Sequence, residues 1–212
     1  MRLYSYWRSS AAYRVRIALN LKQIEYQLVP VNLTADAHRS DEYLDSNPQG
    51  LVPALEHDGV VFSQSLSIIE YLDSVAAKPL MLPRNPVARA HVAAMAQAIA
   101  CDIHPLNNLR VTNYLKQELG QGPSAVQGWY SHWIEQGFTA LETWAETYSE
   151  KRRYLYGDSV SLADVCLVPQ VYNARRFDIS LDAFPNLVAI DSHLQSLPEV
   201  IAAAPERQAD AG

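Results

Sequence analysis

The chain has 212 residues, enough for one large domain or two small ones. Hydrophobic residues make up 49% and charged residues 19%, a globular composition that excludes a disordered polymer. The formal net charge of −6 speaks against a nucleic-acid surface, which needs a basic face, and no apolar run approaches the roughly 20 residues that span a bilayer. The first residues, Met1 to Trp7, are too polar for a signal-peptide core, so the expected location is cytoplasmic.

Taken in chain order, Leu3-Tyr4-Ser5-Tyr6 predicts a short strand. Ser9 and Ser10 follow, then a helical stretch from Tyr13 to Leu21 in which Val15, Ala18 and Leu19 recur at helical spacing. Tyr26 to Val31 predicts a second strand, with Pro30 marking an edge or an irregular end. A short polar helix around His38–Asp45 ends before the turn signal Asn47-Pro48-Gln49-Gly50. Ala54 to His57 and Val60 to Phe62 flank Asp58-Gly59, the mark of a type I′ hairpin. Ser65 to Val75 is amphipathic, with Leu66, Ile69 and Leu72 on one stripe and Ser65 as its cap. The order strand, helix, strand, helix, strand, strand, helix is a thioredoxin-like layout: a parallel first pair joined by a helix, then an antiparallel hairpin.

Beyond a proline-bearing connection over 78–86 the pattern is helical throughout. Val87 to Leu119 is long enough for one helix, which Pro105 should kink or interrupt. Gly120-Gln121-Gly122-Pro123 breaks the chain before a second long helix, Ser124 to Tyr148, whose Trp129, Trp133, Phe138 and Trp144 are expected to build core. Ser161 and Asp164 fit an N-terminal capping box: the serine hydroxyl accepts the amide three residues on, and the carboxylate reaches back. Cys101 and Cys166 lie in apolar stretches without metal-ligand spacing, so both are expected to be buried small hydrophobes, with neither a disulfide nor a metal. The expected architecture is α/β plus all-α: a thioredoxin-like domain over 1–77, a linker over 78–86 and a helical bundle over 87–212.

Three segments of the first domain carry chemistry. Ser9 and Ser10 stand at the start of the first helix, whose dipole favours an anion such as a thiolate; two plain capping serines fit equally well. Val52-Pro53 precedes a strand, where a cis proline exposes backbone groups to an extended peptide and a trans one makes a simple turn. Gln64-Ser65 opens the third helix, either as a cap or as a nest for a carboxylate.

Together these segments resemble the glutathione site of the glutathione transferase superfamily, most closely its zeta class. The resemblance is carried by Ser9 to Leu19 (SSAAYRVRIAL), Asn47 to Leu55 (NPQGLVPAL) and Gln64 to Leu72 (QSLSIIEYL). It continues through Cys101 to Leu109 (CDIHPLNNL), Leu162 to Gln170 (LADVCLVPQ) and Ala174 to Phe177 (ARRF). One departure stands out: Ala11 occupies a position at which the family usually has cysteine, so Ser9 carries thiolate activation without a neighbouring thiol.

The resemblance implies a glutathione transferase fold and glutathione as cofactor. Ser9 would donate to the glutathione sulfur, with Ser10 and Arg8 completing the catalytic set and Ser10 serving as a cap with a supporting contact. Ala11, Ala12, Tyr13 and Arg14 belong to the same glutathione segment. Val52 and Pro53 would pair with the cysteinyl unit, Gln64 and Ser65 would hold the γ-glutamyl end, and His38 would reach the glycine end. His104, Asn108, Leu109 and Arg110 match cleft-lining positions of the helical domain. Arg8, Arg110 and Arg176 would bind substrate carboxylates, while Arg14 and Arg16 also fit structural ion pairs.

The implied reaction is thiolate addition to a cis double bond, rotation and thiolate expulsion, converting 4-maleylacetoacetate to its fumaryl isomer in tyrosine and phenylalanine catabolism. Rivals are the same reaction on maleylpyruvate, a general glutathione transferase or α-haloacid dehalogenase, and a non-enzymatic regulator that borrows the fold. A homodimer is implied; nucleic-acid and membrane partners are not.

Overall fold

Residues 1–76 and 78–211 are described by the computed structural model; Ala77 and Gly212, the last residues of the two expected domains, lie outside the described residues. Contacts divide the chain into two compact units, Met1–Met81 with Gln195–Gly212, and Leu82–Leu194.

In the first unit, buried Leu3 and Ser5 alternate with exposed Arg2 along strand β1 (Arg2–Ser5). β2 (Gln27–Pro30) pairs parallel to β1, and β3 (Ala54–His57) pairs antiparallel on its other side. β4 (Val60–Ser63) closes the sheet, giving the order β2-β1-β3-β4. Pro30 lies on the edge strand, where its missing amide costs no ladder bond. The β3–β4 loop holds Asp58 at φ 51° and Gly59 at φ 78°, the two left-handed positions of the expected type I′ turn.

Helix α1 (Ser10–Leu21) links the parallel pair and is buried from Ala12 to Leu19. A 3₁₀ turn at Ala37–Arg39 and α2 (Asp41–Ser46), capped by Ser40, occupy the expected polar helix. α3 (Ser65–Val75) buries Ile68, Ile69 and Leu72; Ile68 takes the place expected of Leu66, which is half-buried. The cap of α3 is Gln64, not Ser65, which is already the first helical residue. α1 packs against α3 and against the C-terminal α9 (Pro198–Ala203). Lys22, at the end of α1, is fully buried with Nζ 2.8 Å from Asp73 Oδ1 and 2.7 Å from both the Ala76 and Pro79 carbonyls.

The second unit is helical. α4 (Pro86–Gln97) runs into a π-helical turn, Ala98–Ile103, and the chain breaks around Pro105 before α5 (Leu109–Gln117). A continuous helix over Val87–Leu119 is therefore replaced by three pieces. α6 (Pro123–Tyr148) buries Val126, Tyr130, Ile134, Phe138, Leu141 and Ala145, a stripe at three- and four-residue spacing. Of the four aromatics expected in the core, Phe138 reaches it; Trp129, Trp133 and Trp144 stay half-buried because they lie off that stripe. Gly137 admits the π turn, since a Cβ there would stand 2.2 Å from Ile103 Cδ1.

α7 (Leu162–Arg176) is the most deeply buried helix of this unit and packs on α4 and on α8 (Pro185–Leu194). The capping box is formed: Asp164 Oδ2 accepts from the Ser161 amide at 2.8 Å, and Oδ1 accepts from the Leu155 amide at 2.7 Å. Cys166 is buried as expected, but Cys101 is exposed on the π turn. Among the described residues no helix is long and apolar enough to cross a membrane, and no group of three or more His, Cys, Asp or Glu is placed to hold a metal ion.

Candidate active site

Sheet register decides which segments of the first unit meet. Tyr4 of β1 faces Ala54 of β3, and Ala54 faces Ser63 of β4. Because β3 runs opposite to both neighbours, the exit of β1, the entry of β3 and the exit of β4 lie at one end of the sheet. These lead to Ser9, from Val52-Pro53 and to Gln64-Ser65 respectively. Topology thus brings together three segments that are up to 56 residues apart in sequence.

Ser9 is the N-cap of α1, at φ −68° and ψ 117°, and its Oγ accepts from the Ala12 amide at 3.2 Å. Capping was expected of Ser10, but Ser10 is the first helical residue and is buried. The cap must have extended backbone angles, and Ser9 has them. The bond uses a lone pair of Ser9 Oγ and leaves its O–H to donate elsewhere. Ala11 is half-buried, while Ala12, Tyr13 and Arg14 are buried.

The Val52-Pro53 peptide is cis. The preceding carbonyl, of Leu51, is fixed by two donors, Tyr43 Oη at 2.6 Å and Asn47 Nδ2 at 2.7 Å. Val52 itself is buried in an apolar cluster with Tyr6, Val31 and Tyr43. Gly50 has φ 59°, and a Cβ there would meet the His38 carbonyl oxygen at 3.1 Å, so the turn before Val52 lies against the His38 segment. Burial of the ring and the neighbouring Arg39 charge hold the His38 pKa below its usual value, with Asp36 opposing.

Gln64 has φ 67°, which turns the chain sharply into α3, and its exposed amide donates to Gln49 Oε1 at 2.8 Å. Ser65 Oγ accepts from Arg14 Nη1 at 3.3 Å. A helix N-terminus with a buried guanidinium at its first residue favours an anion.

Arg8 stacks over the Trp7 ring at 4.4 Å and lines a cleft of about 380 Å³ shared with Tyr6, Asn32 and Asp210, among others. Among the described residues Arg16 forms no ion pair of the kind its place on α1 allowed. Its guanidinium donates to three neutral oxygens, Ser5 Oγ at 3.1 Å, the Trp7 carbonyl at 2.9 Å and the Ala203 carbonyl at 3.0 Å. Burial lowers its pKa to about 10, partly offset by Tyr26, Tyr13 and Asp210.

The remaining candidates stand in the second unit. His104 closes the π turn, and Asn108 caps α5 through Oδ1, which accepts from the Arg110 amide at 3.1 Å. Leu109 and Arg110 are exposed in the first turn of that helix. At the end of α7 two adjacent arginines differ. Arg175 is paired with the buried carboxylate of Asp191, whereas Arg176 is exposed, stacks 4.8 Å over Phe177 and forms no ion pair among the described residues. The fixing of Leu51 by Tyr43 and Asn47, and the contacts of Trp7, are features that no local motif announces.

Two profiles match the chain: the glutathione S-transferase N-terminal domain over residues 1–74 and the glutathione S-transferase C-terminal domain over 127–189. The maleylacetoacetate isomerase of Rhizobium meliloti is 47% identical over 97% of this chain and 96% of its own. A bacterial zeta-class maleylpyruvate isomerase, solved in its holo form, is 40% identical over 100% of both chains with a TM-score of 0.97. A maleylacetoacetate isomerase of Anaeromyxobacter dehalogenans, solved with dicarboxyethyl glutathione and citrate in the active site, is 37% identical over 100% of this chain and 93% of its own, with a TM-score of 0.87.

Proposed function

The chain belongs to the glutathione S-transferase family, and on that premise we propose that it is a zeta-class, glutathione-dependent cis–trans isomerase that converts 4-maleylacetoacetate to its fumaryl isomer. The observation that carries this reading is the meeting of Ser9, Val52-Pro53 and Gln64-Ser65 at one end of the sheet.

That end suits glutathione residue by residue. Ser9 holds the sulfur through the O–H that capping leaves available, and the α1 dipole adds to the same effect. Ser10, Ala11, Ala12 and Tyr13 shape the first turn around it. Val52 offers its backbone to the cysteinyl unit, with Leu51 immobilised before it. Gln64 and Ser65 take the γ-glutamyl carboxylate, backed by Arg14, and His38 takes the glycine end. His104, Asn108 and Leu109 are assigned to the cleft on their match to family positions.

Bound glutathione supplies a thiolate nucleophile, which adds reversibly to an electron-poor cis double bond and leaves a single bond free to rotate. The chain's own part is to keep that sulfur deprotonated and to hold two carboxylates. Arg8, Arg110 and Arg176 are assigned to the carboxylates, because a planar guanidinium binds them in a bidentate way and stabilises negative charge developing on the substrate. The dicarboxyethyl glutathione held by the Anaeromyxobacter relative carries two carboxylates on its sulfur substituent, which supports that substrate class.

Maleylpyruvate is the second reading, favoured by the overlap with the maleylpyruvate isomerase structure. Paired assays with both substrates at saturating glutathione separate them: a kcat/KM at least tenfold higher for maleylacetoacetate supports the first reading, and the reverse order replaces it. The reading includes a cytoplasmic homodimer in aromatic amino-acid catabolism, with transferase activity as a side reaction; sedimentation at micromolar concentration tests the dimer.

A further inference from the structure

The peptide of Trp7 is held from both sides by groups distant in sequence. Its N–H donates to Asp210 Oδ2 at 3.0 Å, and its C=O accepts from Arg16 Nη2 at 2.9 Å. Arg16 also grips Ser5 Oγ at the end of β1 and the Ala203 carbonyl at the end of α9. One buried guanidinium and one carboxylate therefore fix the turn between β1 and α1 to the C-terminal segment. The residues presented by that turn are Arg8, which leans on the Trp7 ring, and Ser9, whose amide donates to the Tyr6 carbonyl at 2.9 Å.

We propose that Asp210 is a positioning residue for the dicarboxylate substrate, acting through the Trp7 peptide to set the direction of Arg8. The proposal rests on the function argued above. Both side chains line the same cleft of about 380 Å³, so a shift of Trp7 moves the Arg8 guanidinium within it. Charge points the same way. Asp210 also acts on buried Arg16, where its charge opposes the effect of burial, so the two groups that hold Trp7 support each other. An amide–carboxylate bond is charge-assisted, and its geometry is specific enough to hold a peptide plane. Arg8, by contrast, stacks on the Trp7 ring, and among the described residues it forms no ion pair; the position of Trp7 in turn depends on this clamp.

The test uses the whole chain loaded with glutathione, succinate as an unreactive dicarboxylate probe, and three variants: Arg8→Ala, Asp210→Ala and Asp210→Asn. Titration calorimetry reads succinate and glutathione affinity, and hydrogen exchange reads protection of the Trp7 amide. Asp210→Ala is expected to weaken succinate about tenfold, the loss of roughly one hydrogen bond to a charged group, and to speed Trp7 exchange about tenfold, with glutathione affinity within twofold of wild type. Asp210→Asn keeps an amide oxygen to accept from Trp7 and is expected to restore succinate affinity to within about threefold. Trp7 exchange unchanged in Asp210→Ala overturns the proposal, as does succinate affinity unchanged there or lost equally in Asp210→Asn. Arg8→Ala separates the two levels: if it binds succinate as well as wild type does, the carboxylate assignment of Arg8 fails while the Trp7 exchange result still judges the clamp.

Discussion

Arg14 Nη1 lies 3.3 Å from Ser65 Oγ, so a guanidinium buried in α1 touches the first residue of α3. The pair makes the N-terminus of α3 more than a helix end. A carboxylate there meets backbone amides, a hydroxyl and a cation held out of water. Ser65→Ala is expected to raise the dissociation constant of glutathione about tenfold, since a hydrogen bond to a charged group is worth roughly 1.5–3 kcal/mol. Calorimetry measures it, and a constant within twofold of wild type would move the γ-glutamyl end elsewhere.

His38 gives a second reading of the same ligand. Burial and the Arg39 charge hold its pKa below the usual imidazole value, which favours the neutral ring in the free protein. A carboxylate placed beside it favours the protonated form. NMR titration of the ring is expected to show its pKa rising when glutathione is added. A titration curve unmoved by glutathione would remove His38 from the glycine end.

The strand order was legible in the first 75 residues because alternation, the Asp58-Gly59 turn and the helical stripe of α3 are local signals. Even so, burial of Ile68 in place of Leu66 and capping by Gln64 depended on how α3 meets its neighbours. In the second unit local patterns set helix existence but not exposure: the tryptophans of α6 stay half-buried because they lie off its buried stripe, and Cys101 faces outward because the π turn that carries it rotates the faces an unbroken helix would present. At the site, Ser9, Val52-Pro53 and Gln64-Ser65 were readable as a set. The roles of Trp7, Arg16 and Asp210 were not, because their bonds span up to 203 residues and use backbone atoms that carry no sequence signature. Nothing in the pattern of 195–212 announces that it folds with residues 1–81.

Asp164 makes stability depend on pH in an unusual direction. Burial raises its pKa from 3.8 to about 6, against the hydrogen bonds from Leu155 and Ser161 that lower it. The folded pKa exceeds the unfolded one, so the folded state binds the extra proton. The penalty for a charged Asp164 is complete above about pH 6 and is relieved as pH falls toward the unfolded value. Wild type should therefore gain on the order of 1 kcal/mol relative to Asp164→Asn between pH 7 and pH 5. Denaturant unfolding of both proteins at the two pH values measures this. A constant difference would mean that Asp164 titrates near its ordinary value.

Lys22 closes a buried junction with Asp73, Ala76 and Pro79. Lys22→Met keeps the aliphatic length but takes the cation away from Asp73, whose side chain is 11% exposed and whose Oδ1 also accepts from the Met81 amide at 2.9 Å. The expected loss is about 3 kcal/mol, typical of breaking one partner from a buried pair. Thermal unfolding reads it; a melting temperature within a degree of wild type would show the junction to be energetically idle.

On the function proposed above, Ser9 keeps a glutathione sulfur ionised for isomerisation. Ser9→Ala removes both the hydroxyl donor and the α1 cap, the latter worth about 1 kcal/mol, while Ser9→Asp keeps a capping acceptor and brings no donor at neutral pH. The decisive measurement is a spectrophotometric assay of maleylacetoacetate isomerisation with and without glutathione, on wild type and both variants at one pH. Wild type is expected to be active only when glutathione is present, and kcat/KM to fall at least a hundredfold in both variants despite the intact cap of Ser9→Asp. Activity that persists without glutathione, or that survives in Ser9→Asp, would contradict this role of Ser9.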